Sequence, residues 1–344
     1  MGSLNFTTLS SKQVALLELR ECGLYCPAGD FYIDPWEPAE RAIVTHAHSD
    51  HACPGSRAYL AAAPGEALLR QRLGSGAAIQ ALDYAKPMTL GTARVSLHPA
   101  GHILGSAQVR IESNGEVWVV SGDYKLAPDP TCPPFEPLRC HTFVTESTFG
   151  LPIFRWPGAG QVLEDIHAWW RANRETGKSS VLFGWPLGKM QRVLAGLDPA
   201  IGPVYAHGAV ERVNRIYRAC GIALPATPPP AGDTKRALIL APPGWQGSPW
   251  MKRFSAASTA LVSGWMRIRG TRRRRSLDRG FVLSDHADWP ALLAAIDQTR
   301  AETVWVTHGF RAPLVRWLQE HGRQAVEVPV HVPAPELAPE ESES

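Results

Sequence analysis

His46, His48, Asp50 and His51 fall within six consecutive positions of "IVTHAHSDHACPGS", directly after a short β-branched run. Three imidazoles and a carboxylate so close together are hard to satisfy in a core, where each buried polar atom needs a hydrogen-bond partner. A metal ion resolves the difficulty. If the strand ends near His46, positions two apart face the same way, so His46 and His48 can grip one cation while Asp50 and His51 face a second. Groups of the same types stand where other β-rich runs end: His102 in "PAGHILGSA", Asp123 in "VVSGDYK" and His308 in "VWVTHGF". Two cations roughly 3.5 to 4 Å apart lower the pKa of a shared water and clamp both attacking and leaving oxygens, so hydrolysis is the implied chemistry.

The elements that must hold these groups are legible in outline. From residue 31 to 148 the runs "FYIDP", "RAIVTH", "ARVSLH", "AQVRIES" and "EVWVVSGD" read as short strands, with Asn114-Gly115 as a hairpin turn. From about 150 to 280 strand and helix patterns alternate: "SVLFGW" then "KMQRVLAGL", "PVYAHG" then "AVERVNRIYRACG", and then "RALILAPP". That order predicts a small parallel α/β unit. After 280, strand and helix continue without an obvious linker. The last residues, "PAPELAPEESES", are too polar to pack and read as a disordered acidic tail over 333–344.

Composition narrows the class. A chain of 344 residues with 44% apolar content can bury one enlarged or two ordinary cores. There is no run of about 18 apolar residues, and "MGSLNFTTLSSKQ" lacks a basic segment followed by an apolar one, so a cytoplasmic protein without a membrane span is expected. The six cysteines are scattered and form no CxxC pair, which points to free thiols. A net charge of +3 leaves the choice of partner to local clusters.

The ordered set His46, His48, Asp50, His51, His102 and Asp123 resembles the motifs of the metallo-β-lactamase fold. That resemblance implies an α/β, four-layered αβ/βα sandwich with a two-metal cleft at its strand ends. It implies that His46, His48 and His102 hold one zinc and Asp50, His51 and His308 the other, with Asp123 bridging and Asp50 also counted as catalytic; manganese is a possible substitute. Asp34 in "FYIDPW" matches the early aspartate that supports the ligands from behind.

Three more motifs resemble the β-CASP branch, the nucleases of this fold: Glu146 in "VTESTFG", His286 in "LSDHADW", and His308. The domain organisation implied is 1–149 and 281–332 for the main fold, with a β-CASP domain inserted at 150–280. A cut phosphodiester's leaving oxygen needs a proton, and an imidazole suits the task, so His286 is the expected acid, oriented by Glu146. The stretch "GWMRIRGTRRRRSLDRG" offers Arg272, Arg273, Arg274 and Arg275 as phosphate contacts, and Trp250 and Trp265 could stack on unpaired bases. Lys189 and Gln191 in "WPLGKMQRVL" sit at an expected helix N-terminus, which favours an anion. His207, at a strand-helix junction, could also touch substrate.

His308 is similar to the RNA-processing members, since Artemis-type DNA nucleases have valine there. "GLYCPAGDFYIDPW", "TESTFGLPIFRWP" and "SGWMRIRGTRRRRSLDRGFVLSDHADW", however, resemble a bacterial family of DNA-ligase-associated exonucleases. This longer resemblance implies a DNA exonuclease acting on single-stranded 5′ ends in repair. It also implies functional association with an ATP-dependent DNA ligase, a helicase and a metallophosphoesterase. The rival readings are a β-CASP ribonuclease, a small-molecule metallo-hydrolase and an inert nucleic-acid-binding scaffold.

Overall fold

The computed structural model describes residues 15–254, 256–268, 270 and 276–329. The Arg272–Arg275 run and the 333–344 tail lie outside the described residues.

The strands form three sheets. The first holds β1 (Glu18–Arg20), β2 (Gly23–Cys26), β3 (Phe31–Ile33), β4 (Arg41–Ile43), β5 (Ala58–Ala62) and β6 (Ile79–Leu82) in sequential order, antiparallel up to β3 and parallel from there on. The second contains β7 (Met88–Leu90), β8 (Ala93–Pro99), β9 (Ala107–Ser113), β10 (Glu116–Val120) and β11 (Thr142–Thr145). Between β9 and β10, Asn114 and Gly115 adopt φ of 51° and 83°, the doubly left-handed turn that matches strand twist. The third sheet is wholly parallel: β12 (Ser180–Phe183), β13 (Val204–Ala206), β14 (Leu238–Ala241), β15 (Ser258–Val262) and β16 (Arg279–Phe281), in the order β13-β14-β12-β15-β16. Its unbroken "VLF" and "LILA" runs suit strands buried on both faces. The chain then returns to the second sheet with β17 (Thr303–Val306) and β18 (Gln324–Glu327), which pair parallel beyond β11.

Side-chain alternation decides how the sheets pack. Ile33, Ile43 and Leu60 of the first sheet meet Val109, Val120 and Val144 of the second in a shared core. The intervening Val119, Phe143 and Val304 point the other way, against Leu292 and Ile296 of one helix (Trp289–Thr299) and Leu314 and Leu318 of the next (Arg311–Glu320). On the outer side of the first sheet, Ala42, Val44 and Ala61 join a core with Leu68 and Leu69 of the first helix (Glu66–Leu73). That core runs on into Trp169, Trp170, Val193 and Val210, carried by the helices Ala159–Glu175, Lys189–Ala195 and Gly208–Ala219 around the third sheet. The molecule is a mixed α/β protein. All six cysteines are free thiols.

In chain order the α-helices whose bounds lie among the described residues are α1 (Glu66–Leu73), α2 (Ala159–Glu175), α3 (Lys189–Ala195), α4 (Gly208–Ala219), α5 (Trp289–Thr299) and α6 (Arg311–Glu320). Asp288 caps α5: one carboxylate oxygen accepts from the Ala291 amide at 3.0 Å and the other from the Trp156 amide at 2.8 Å. Asp288→Ala should destabilise the fold by about 1 kcal/mol for the lost cap. A lower urea midpoint at unchanged slope is the expected reading, and an unchanged midpoint would refute the cap's importance.

Candidate metal centre

Strand ends deliver the polar groups to one place. β10, β11 and β17 run parallel, so Asp123, Glu146 and His308, just beyond their carboxyl ends, emerge on the same edge of the second sheet. His46, His48, Asp50 and His51 follow β4, and His102 follows β8. His286 comes from the third sheet, past β16. Gly122, at φ +55°, lets the Asp123 turn press on Thr45, where a Cβ would stand 2.6 Å from the hydroxyl oxygen.

The hydrogen bonds fix which nitrogen of each ring carries its proton. His48 Nε2 donates to the Leu187 carbonyl at 3.3 Å, and His102 Nδ1 to the Asp285 carbonyl at 2.9 Å. His51 Nδ1 donates to Asp34 at 2.7 Å. The Thr45 hydroxyl gives its proton to Asp34, so its oxygen accepts from His46 Nδ1 at 3.1 Å. Likewise the Thr307 hydroxyl donates to the Thr145 carbonyl and accepts from His308 Nδ1 at 3.1 Å. A neutral imidazole has one ring proton, so His46, His48, His102 and His308 turn a bare lone pair inward, and His51 does so once a cation displaces the second proton that its neighbouring carboxylates favour.

Those lone pairs converge as a metal site requires. His46 Nε2 and His102 Nε2 each lie 3.1 Å from His48 Nδ1, close to the spacing of about 3.3 Å that tetrahedral ligation at about 2.0 Å gives. Without a cation among them the three nitrogens would only repel. The ligand atoms of His46, His48, His102 and Asp123 lie within 4.8 Å of one another, and those of Asp50, His51 and His308 form a second such group. One oxygen, Asp123 Oδ2, faces both: it is 3.5 Å from His46, 3.8 Å from His102 and 3.4 Å from His51. His51 Nε2 is buried with no hydrogen-bond partner, and it borders a cavity of ≈ 40 Å³ lined also by Asp34, Asp50 and His308.

Electrostatics agree with that donor set. Burial pushes the His102 imidazole down to about 3, helped by His286 and His48. Burial likewise holds His46, His48 and His308 below the ordinary histidine value, so all four are neutral and able to ligate. Burial pulls His51 down too, yet Asp123, Asp50 and Asp34 together lift it well above that value. Asp123 is held well below the usual carboxylate range, chiefly by His51 and His286, against a burial effect that would raise it. Three carboxylates converging on one imidazole mark a pocket built for positive charge.

Asp34 acts from behind, accepting from the Thr45 amide at 2.7 Å as well as from the Thr45 hydroxyl and His51. Supporting partners of this kind are typically worth about 10–100-fold in metal affinity. Asp34→Ala should therefore weaken zinc binding by about 10–100-fold, read by competition with a chromogenic chelator; unchanged affinity would remove Asp34 from the site.

His286 Nδ1 donates to Glu146, 3.0 Å from Oε2 and 3.2 Å from Oε1, while Glu146 Oε1 also accepts from the Tyr124 amide at 2.8 Å. Burial lowers the His286 pKa, but Glu146 and Asp123 more than offset it and bring it to about 9. Burial raises Glu146 above its usual range against the pull of His286.

The helix-start residues sit differently from their expected role. Gln191 is fully buried, and its amide is spent on the Gly188 amide, the Pro186 carbonyl and Asn214. Gln191 thus stitches the turn before α3 and has no group left for a phosphate, which corrects the sequence expectation. Lys189 is also buried, 2.9 Å from Asp285. With Arg192, whose Nη1 donates to the Ser284 carbonyl at 2.9 Å, and Lys125, whose ammonium donates to the same carbonyl, it clamps the Ser284–His286 turn. Sequence reasoning missed Thr45, Lys125, Arg192 and Asp285. Each adjoins or lies close to a recognised motif residue or, for Arg192, a turn of helix from Lys189, but only the fold shows what it touches. Trp265 packs tilted on Phe149 at 4.9 Å and edge-on to Phe154 at 5.6 Å, half-buried.

No protein-family model matches the chain. Over 307 residues, 88% of its length, it is 33% identical to a protein of Opitutus terrae named "Probable DNA ligase", and it spans 30% of the length of that relative. Over 76 residues it is 34% identical to Endoribonuclease YSH1 of Gibberella zeae and 33% identical to Endoribonuclease ysh-1 of Neurospora crassa, covering 9% of each. A crystal structure of a protein of unknown function from Enterococcus faecalis V583 superposes with a TM-score of 0.59 over 84% of this chain and 79% of the other, at 11% identity. The chain thus shares its fold with that structure and is similar in sequence to part of the larger, ligase-named relative.

Proposed function

We propose that this protein is a two-metal phosphodiesterase that shortens single-stranded DNA from its 5′ end, in the service of DNA repair. The observation that carries the hydrolytic reading is the convergence of five imidazoles, each anchored by its other nitrogen, in two ligand groups joined at the Asp123 carboxylate. Similarity to a ligase-named protein and to two endoribonucleases supports nucleic acid as the substrate, and the first of these favours DNA. On this reading the fold is the metallo-β-lactamase αβ/βα sandwich, with residues 150–280 as an inserted β-CASP domain. His46, His48 and His102 would hold one zinc and Asp50, His51 and His308 the other, with Asp123 between them. Bound there, two zinc ions would supply a nucleophilic hydroxide and neutralise the phosphate's charge.

The chain's own groups do the rest. Glu146 holds His286 by its Nδ1, leaving Nε2 to deliver a proton to the departing sugar oxygen. The Leu187 and Asp285 carbonyls hold His48 and His102 in register. The Arg272–Arg275 run, which follows β15, would bind phosphates. Replacing those four arginines with alanine should weaken strand binding and flatten its dependence on salt by a slope of about 0.7 per lost phosphate contact; an unchanged slope would make the run structural. No helix among the described residues is long and apolar enough to cross a membrane, and we place the protein in the cytoplasm beside a DNA ligase.

The second reading is a ribonuclease, favoured by the two endoribonuclease relatives and by His308. A time course on DNA and RNA oligonucleotides, labelled at either end and supplied with zinc or manganese, separates the two. Stepwise release from the 5′ end of DNA supports the exonuclease. Cleavage of RNA with DNA untouched would overturn it in favour of the second reading.

A further inference from the structure

The five parallel strands of the third sheet all point their carboxyl ends the same way, and each is followed by an aromatic or imidazole group. In spatial order these are His207 after β13, Trp245 and Trp250 after β14, Trp185 after β12, Trp265 after β15 and His286 after β16. Carboxyl edges of open parallel sheets are where such folds receive ligands, at the point where strand order turns. Here it turns at β12, with β14 and β13 on one side and β15 and β16 on the other. Trp185, immediately beyond that strand, is 37% exposed, while the other eleven tryptophans are more covered. An indole with about a third of its surface open to water, where the fold covers the other tryptophans more fully, offers a contact surface.

The row is held by ring contacts and joined to the metal centre. His207 lies on Trp245 with centroids 4.3 Å apart and meets Trp250 edge-on at 5.0 Å; Trp250 in turn packs on Phe254 at 4.8 Å. The Trp185 loop reaches His48 two residues later, through the Leu187 carbonyl. At the other end Trp265 is linked through Phe149 to His286, with ring separations of 4.9 and 5.9 Å. Lys252 and Arg253, beside Trp250, and Arg267, beside Trp265, are exposed and positive. From β16 to β13 the edge extends about 19 Å at ordinary strand spacing.

We infer that this edge is a stacking track for single-stranded nucleic acid, which carries the bases of the strand away from the metal centre while the flanking cations follow its phosphates. Unpaired bases offer a π-face to each indole whatever their sequence, so the track selects single strands over duplex, whose bases are already stacked. The inference rests on the phosphodiesterase reading for the strand's destination, and on the row itself for its chemistry.

The test is anisotropy binding by the full chain of labelled 20-residue single strands with cleavage-resistant phosphorothioate linkages, in deoxy, ribo and abasic forms. The wild-type chain should bind base-bearing strands more tightly than the abasic strand. Trp185→Ala and Trp250→Ala should each weaken base-bearing binding about 5- to 100-fold, towards the abasic value. Because Trp250 also packs on Phe254, Trp250→Phe and Trp185→Phe, which keep a stacking face, should recover most of the loss. Binding of DNA and RNA alike supports the track and places sugar choice elsewhere; preference for one supports it and names the sugar. Equal binding of abasic and base-bearing strands, or alanine variants that bind as wild type, would overturn it, as would phenylalanine variants no better than alanine. Hydrolysis of bis(p-nitrophenyl) phosphate by the wild-type chain with zinc or manganese, a substrate without bases, judges the metal centre separately.

Discussion

Asp123→Ala is expected to abolish hydrolysis and to leave the protein with less than its full complement of metal. A single carboxylate oxygen lies 3.5, 3.4 and 3.8 Å from ring nitrogens of His46, His51 and His102, which belong to two different ligand groups. Its removal therefore strips charge from both positions at once, where loss of any one histidine empties only one. The loss should exceed the roughly 10–100-fold that a supporting partner such as Asp34 contributes. Asp123 is absent from the apolar clusters, so the variant should remain folded by circular dichroism. Elemental analysis of the purified protein and turnover of bis(p-nitrophenyl) phosphate are the two readouts. Two metals per chain with full turnover would remove Asp123 from the centre; His46→Ala, which takes away one lone pair and leaves Asp123, should show an intermediate metal content.

Much of this arrangement was legible because its signals are local. The spacing of His46, His48, Asp50 and His51 sits on four neighbouring positions after one strand, and their type alone announces a cation. Asn114-Gly115 announces its hairpin by the same directness, and the "SVLF", "PVYA" and "RALILA" runs each became a strand of the parallel sheet. Short strands with mixed exposure were not legible. β1 "ELR" is exposed along its length and β6 "IQAL" has no buried residue, so no hydrophobic alternation marks them; pairing across the sheet alone makes them strands. Lys189 and Gln191 mislead for a related reason. Their position at a helix start is a local fact, but what a helix start faces is a tertiary one, and here it faces Asp285, Asn214 and a backbone turn. The clamp of Lys189, Arg192 and Lys125 on the Ser284–His286 turn joins residues some 90 to 160 positions apart and has no trace in any short window of sequence.

His286→Ala tests the division of labour between the metal ligands and the proton donor. His286 sits within reach of two further groupings of potential ligands, with His102 and Asp285 and with Asp123 and Glu146, so its geometry alone admits a ligand as well as an acid. The hydrogen bonds favour the acid. Its Nδ1 is committed to Glu146 at 3.0 Å, and Asp123 stands farther off at 3.8 Å. A ring anchored in that way presents Nε2 to a leaving group rather than to a cation that His46, His48 and His102 would hold. His286→Ala should therefore keep its metal while oligonucleotide cleavage slows by about 10² to 10⁴-fold, the usual worth of a positioned acid. The p-nitrophenolate leaving group needs no proton, so bis(p-nitrophenyl) phosphate should be hydrolysed at a much smaller deficit, and Glu146→Gln, which leaves the imidazole in place but loosens its anchor, should move both substrates in the same direction by less. Loss of metal in His286→Ala would make the residue a ligand. Equal slowing of both substrates with metal retained would deny it the proton and leave it, with Glu146, as a wall of the cleft.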